Sequence, residues 1–142
     1  HMLELDSFLR RYGGELLKKM GRPLRVTPPS RCQPFYTSRV VGVGESIGTV
    51  YPLLGEGIIP SLQCADLLLE NLHNLEAYAR SVLKTFAIYD TIYNFIKSKI
   101  NRDFSALSQL PSLLKIFFHM KTSEARYGIH VRLRDMLSIS KL

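Results

Sequence analysis

Residues 39–69 read RVVGVGESIGTVYPLLGEGIIPSLQCADLLL, and the order of residue types in this stretch sets the expected fold. The β-branched run Arg39-Val40-Val41-Gly42-Val43-Gly44 predicts a short buried strand feeding a tight turn, because branched side chains fit a pleated surface and glycine lets the backbone reverse. Beyond the turn, Leu54, Ile58, Leu62, Ala65, Leu69 and Leu72 recur every three or four residues, the period of one apolar helix face. A long amphipathic helix therefore begins near Gly55 to Ile58. Pro60 is compatible with it only inside the first turn, where its missing N–H is not needed.

Two features of the stretch suit a ligand. Gly44 ends the strand and Glu45 follows it, so the backbone can approach a bound molecule while the carboxylate accepts hydrogen bonds from its hydroxyls. Gly55-Glu56-Gly57 opens the helix, whose first N–H groups and positive dipole end face whatever precedes them. Together they predict a site for a polyhydroxylated, partly anionic ligand. Gly42, Gly44 and Gly48 do not make a dinucleotide-binding fingerprint. The third glycine falls one residue late for G-x-G-x-x-G, and no strand–helix–strand unit with a following acid surrounds it.

Upstream, Leu5, Leu9, Tyr12, Leu16 and Met20 predict a helix over Leu3–Met20, weakened by Gly13-Gly14 and stopped by Gly21 and Pro23. From Arg22 to Arg39, Pro23, Pro28, Pro29 and Pro34 predict extended or looped chain, with Leu24–Thr27 and Pro34–Tyr36 as short edge strands. Downstream, Leu75, Tyr78, Val82, Phe86, Tyr89, Tyr93, Ile96 and Ile100 carry a helical stripe across Asn74–Lys99. Asn101 to Asp103 offer a stop and a new cap. Phe104–Met120, broken at Pro111, and Glu124–Ser138 predict two further helices. The expected fold is mainly α: a helical carboxy-terminal region with a short β segment of one to three strands.

With 142 residues, 46% hydrophobic and 22% charged, the composition is that of one globular domain and excludes a disordered chain or a disulfide scaffold. His1-Met2 reads as a remnant of recombinant expression, so natural sequence is expected upstream of Leu3. Cys32 and Cys64 are far apart and His73, His119 and His130 share no ligand spacing; buried free thiols and no metal site are expected. Asp66 reads as a surface carboxylate. Apolar runs such as Leu110–Met120 fall short of the roughly 20 residues a membrane span needs, and no signal peptide is visible. A cytoplasmic protein, at most peripheral to a membrane, is expected. The net charge is +7, and residues 1–39 hold eight cations against three acids, or +5 of it. That excess reads as a solvated basic face. The chain has no recognition-helix motif and no RNA-type aromatic signature, so nucleic acid is not expected as a partner.

Gly44-Glu45-Ser46-Ile47-Gly48 followed by Pro52-Leu53-Leu54-Gly55-Glu56-Gly57-Ile58 resembles the second FAD-contacting motif of the geranylgeranyl-reductase group, within the para-hydroxybenzoate-hydroxylase-like flavoproteins. There a strand leads into Gly-Asp-Ala-Ala-Gly and then Pro-Leu-Thr-Gly-Glu-Gly-Ile. The resemblance implies FAD as cofactor of a parent oxidoreductase, probed by Gly44, Glu45, Pro52, Gly55, Glu56, Gly57 and Ile58, with no catalytic residue in this chain. Glu45 would hold the ribityl hydroxyls, and Gly55 to Ile58 would offer N–H donors near the flavin ring. Glu45 stands where aspartate is usual, which moves the carboxylate by about 1.5 Å.

The same resemblance implies that the chain is a carboxy-terminal part. Residues 1–2 are the remnant, 3–72 an incomplete FAD-binding segment and 73–142 a helical region beside a cavity for an isoprenoid lipid substrate. The aromatic stripe Tyr78, Phe86, Tyr89, Tyr93 and Phe95 is either lining for such a cavity or ordinary core. The glycine-rich motif that binds the ADP part of FAD is not in the chain. The implied partner is therefore the missing amino-terminal FAD-binding half, and the chain alone is expected to be inactive and to self-associate over uncovered apolar surface. The rival expectation is a non-enzymatic helical interaction module with a basic face.

Overall fold

The computed structural model describes residues 7, 9–13, 23–103 and 105–134. It is mainly α. Five helices follow a long loop: α1 (Ile58–Glu70), α2 (Leu75–Thr85), α3 (Ile88–Ile100), α4 (Ala106–Thr122) and α5 (Glu124–Tyr127). The loop itself contains two 3-10 turns, Pro29–Arg31 and Gly44–Ile47. Of the helix expected over Leu3–Met20, residues 9–12 are helical and a left-handed Gly13 closes the turn by donating its N–H to the Leu9 carbonyl at 3.0 Å. The rest of that expectation, with the stop at Gly21, lies outside the described residues.

No β-sheet forms among the described residues, which corrects the expected β segment. The run Arg39–Gly44 and the segment Pro34–Tyr36 meet only as a minimal hairpin turning at Ser38 and Arg39. Thr37 N donates to Val40 O at 2.8 Å and Gly42 N to Phe35 O at 2.7 Å, around a single Tyr36–Val41 bridge. Beyond Gly42 the chain turns away into the 3-10 turn at Gly44, which ends the ladder. Leu24–Thr27 pairs with nothing as a strand. The β-branched residues were strand-forming in type, but among the described residues no third segment pairs with them.

Pro60 sits in the first turn of α1 and is buried, as its chemistry requires. The single stripe expected over Asn74–Lys99 is divided into two helices. Asn74 caps α2, its Oδ1 accepting the Ala77 N–H at 3.0 Å, and the chain breaks at Phe86 and Ala87 before α3 starts. Phe86 stays buried across the break, so one apolar face runs on through both helices. Pro111 does not break α4, contrary to expectation. It costs one hydrogen bond, to the carbonyl of Leu107, and Leu107 is so exposed that water can take the partner's place. Of the helix expected over Glu124–Ser138, Glu124–Tyr127 is helical and closes where Gly128 adopts the left-handed conformation, residues 133–134 are helical again, and 135–138 lie outside the described residues.

All of this packs on one continuous core. Phe35, Ile47 and Tyr51 come from the loop, Cys64 from α1, Tyr78 and Val82 from α2, Tyr89, Ile92 and Phe95 from α3, Leu113, Ile116 and Met120 from α4, and Val131 from the tail. Tyr51 meets Tyr89 edge to face at 5.5 Å and lies 5.8 Å from the His119 ring, so the loop is threaded into the helices rather than laid over them. Tyr78, Phe86, Tyr89 and Phe95 are thereby core residues. Tyr93 lies under the Arg31 guanidinium at 4.9 Å, and Arg31 also donates to Asn94 Oδ1 at 3.0 Å. Beside it, Ser30 donates to Asp90 at 2.6 Å. One cation of the basic segment thus lies against the helices while remaining exposed to solvent.

Tyr78 joins three elements at one atom. Its hydroxyl donates to the Gly42 carbonyl at 2.7 Å and lies 3.1 Å from the Cys64 thiol. Burial, then the thiol, push its ionisation well above the usual tyrosine range. Cys32 and Cys64 are both free; Cys64 is buried as expected, whereas Cys32 is only half-buried, its thiol pointing to Thr27 O at 3.6 Å. No helix among the described residues is long and apolar enough to cross a membrane.

Replacing Tyr78 by Phe removes the donor from Gly42 while keeping the ring, and is expected to cost about 1–3 kcal/mol in denaturant unfolding. A second expectation concerns the tail. Glu124 accepts from Lys121 Nζ at 2.8 Å and from Val131 N at 2.7 Å, and these bonds, Lys121 first, hold its carboxyl below the usual carboxylate range. A lowered folded pKa means that the tie is complete above the ordinary carboxylate pKa and is lost as pH falls through the lowered value. The Val131 amide resonance should therefore titrate below the ordinary carboxylate range, and Glu124→Gln should abolish that titration.

Candidate functional site

Residues 44–57 fold as two turns pressed against the start of α1. In the first, Gly44 O accepts from Thr49 N at 3.2 Å and Glu45 O from Gly48 N at 3.1 Å. The Ser46 hydroxyl closes the entry, accepting from Val43 N at 3.2 Å and donating to Val43 O at 2.8 Å. Gly44 has φ 70°, and a Cβ there would stand 2.6 Å from Ser61 Oγ in the first turn of α1. Gly48, left-handed too, has its Cα against the Thr27 carbonyl and the Cys32 thiol. These are close approaches that only glycine allows. The Gly44–Ser61 contact is the one that brings Glu45 beside the helix start.

The second turn runs from Tyr51 to Glu56. Tyr51 N donates to Glu56 O at 2.7 Å and Gly55 N to Tyr51 O at 2.9 Å. Pro52 is buried within it. Glu56 then caps α1 with its side chain, Oε1 accepting the Ile59 N–H at 2.9 Å, while Oε2 is buried with no hydrogen-bond partner. Tyr51 is buried in the core, so the turn cannot slide.

Between the turns and α1 lies a cavity of about 490 Å³, within the roughly 300–1,000 Å³ usual for small-molecule sites. Glu45, Gly55, Gly57 and Ile58 line it, and with them Leu24, Val50, Ser61 and Leu62. Four of the seven residues singled out from sequence thus share one cavity. The other three support it: Gly44 sets the approach to Ser61, Pro52 is buried in the second turn, and Glu56 caps the helix. Gly55 spends its N–H on the turn, so Gly57 and Ile58 are the lining residues whose N–H groups stand at the helix start. Sequence reasoning missed Leu24, Val50, Ser61 and Leu62. Leu24 came from a segment read as a strand, and Ser61 and Leu62 lie one helical turn beyond the motif.

Among the described residues Glu45 is the only ionisable one lining the cavity, Ser61 adds a hydroxyl, and Leu24, Val50, Ile58 and Leu62 are apolar. Such a surface can accept hydrogen bonds from ligand hydroxyls at one point and pack against a flat apolar body at others. Among the described residues, His, Cys, Asp and Glu gather nowhere into a group fit for a metal ion. His73 is exposed, His119 stacks near Tyr51, and His130 lies at the Glu124 tail. Asp66 is exposed on α1.

The stripe that predicted α1 faces outward. Its buried residues are Pro60 and Cys64, whereas Ile58, Leu62 and Leu69 are 76%, 63% and 66% exposed. Leu54 and Leu72 are exposed as well. Two of these residues, Ile58 and Leu62, also line the cavity, so the cavity wall continues into an uncovered apolar helix face.

Gly44→Ala tests the contact that assembles the site. The new methyl meets Ser61 and the left-handed backbone strains any side chain, so unfolding free energy should drop by about 1–3 kcal/mol, measured by denaturant titration. The chain matches no protein-family model, and neither curated proteins nor solved structures show a significant similarity to it.

Proposed function

We propose that this chain is the carboxy-terminal part of an FAD-dependent oxidoreductase of the geranylgeranyl-reductase type and supplies the ribityl and ring side of the flavin site. The observation that carries the reading is that Glu45 and the start of α1, ten residues and more apart in sequence, line one cavity. That cavity fits part of the cofactor: a carboxylate for ribityl hydroxyls, glycines at the wall, and apolar side chains for a ring. By its size it would take a ring-sized portion rather than the whole dinucleotide.

Glu45 would hold the ribityl chain, with Ser61 beside it, and the Gly57 and Ile58 N–H groups would meet the polar edge of the ring. Bound flavin supplies hydride transfer, and an isoprenoid double bond is the substrate class that the resemblance implies. This chain contributes binding and orientation, not an acid or base. The glycine-rich half that would hold the ADP part is the proposed partner. The exposed α1 face, bordered by the acids Asp66 and Glu70, is the surface it would cover, and alone the chain is expected to self-associate through that face.

The test is the flavin content of the protein produced together with the coding sequence that precedes Leu3. A yellow protein whose Glu45→Ala variant binds FAD on the order of ten- to a hundredfold more weakly supports the proposal, since a charged hydrogen bond is worth about 1.5–3 kcal/mol. A protein that stays colourless after incubation with FAD would overturn it in favour of the helical interaction module.

A further inference from the structure

The helix α4 is apolar on two sides. Leu113, Ile116 and Met120 are buried in the core. On the other side Leu107, Leu110, Leu114 and Phe118, three or four residues apart, meet solvent, Leu107 at 87% and Phe118 at 62% exposure. One apolar face is enough to fold a helix onto a core; a second stabilises nothing within the chain and marks a surface made for contact.

Charge identifies the occupant. Ala106–Thr122 contains no acidic residue. Lys115, exposed, borders the outward stripe, four residues after Pro111 and three before Phe118. Lys121 is matched by Glu124 at 2.8 Å. Just ahead of the helix the exposed Lys97 and Arg102 outnumber the exposed Asp103. Pairing this face with a second copy would set like charges together, whereas an anionic surface complements it.

We propose that α4 docks the protein on an anionic lipid bilayer. At 17 residues it lies flat in the interface, with Leu107, Leu110, Leu114 and Phe118 in the acyl boundary and Lys115 and Arg102 among the phosphates. The proposal stands apart from the flavin reading, because α4 gives no residue to the Glu45 cavity.

The chain has no tryptophan, so Phe118→Trp places a single emission reporter on the face. With vesicles of equal phosphatidylglycerol and phosphatidylcholine, its emission should shift to the blue and the protein should co-sediment; with phosphatidylcholine alone, partitioning should be much weaker. Lys115→Glu, a surface change that circular dichroism should find folded, is expected to lower partitioning on the order of tenfold. Leu107→Ser with Phe118→Ser should lower it by about a hundredfold, while Leu69→Ser on α1 should leave it unchanged. The proposal is overturned by unshifted emission with anionic vesicles, by equal partitioning to both vesicle types, or by loss of partitioning in the Leu69 variant. A blue shift that grows with protein concentration and needs no vesicles would overturn it too, and would assign the face to contacts between copies.

Discussion

The hydroxyl of Tyr78 is the point on which the rest of the structure depends. A long loop rich in proline and glycine has no ladder of its own, and its carbonyls need donors wherever it leaves water. Tyr78 reaches from α2 to the Gly42 carbonyl and touches the Cys64 thiol of α1 on the way. One buried group thus fixes the loop to two helices. Tyr51 makes the second attachment by placing its ring against Tyr89 and beside His119. Between the two attachments lies Gly44, pressed on Ser61, and so Glu45 is held where it is largely by residues outside the cavity lining, Tyr78, Tyr51 and Gly44. Positioning by a supporting shell of this kind is what gives a site a fixed shape.

The sequence told which segments are helical better than it told which way they face. Period-3.6 spacing reports that an apolar side exists, not what covers it. Leu54, Ile58, Leu62, Leu69 and Leu72 announced α1 correctly but turned outward, and the residues that bury are Pro60 and Cys64. The β-branched run at Arg39–Gly44 misled for a related reason: strand propensity is realised only beside another strand, and here the run meets its neighbour in a single bridge before turning away at Gly44. Pro111 misled in the opposite sense, because the cost of a proline depends on whether water can reach the abandoned carbonyl. At the site, glycine spacing and the Glu45 carboxylate were legible, since both are local chemistry. Leu24 and Val50 were not, because their place in the cavity wall is set by tertiary folding alone.

Two apolar faces remain uncovered, and their charged borders differ in sign. Around α1, residues 54–72 carry Glu56, Asp66 and Glu70 and no cation; α4 carries lysines and no acid. A single kind of partner would suit one face and be repelled by the other. The α1 face also shares Ile58 and Leu62 with the cavity, at 76% and 63% exposure. A protein surface laid on α1 would therefore become part of the cavity wall. Ligand and partner would then contact the same two side chains, and each would desolvate surface that the other needs buried. By linkage, whatever the cover adds to ligand affinity the ligand adds to affinity for the cover. On the proposed reading the cavity would then be a half-site, its polar side held by Gly44, Ser61 and Glu56 and its apolar wall, Ile58 and Leu62, completed by the surface laid on α1.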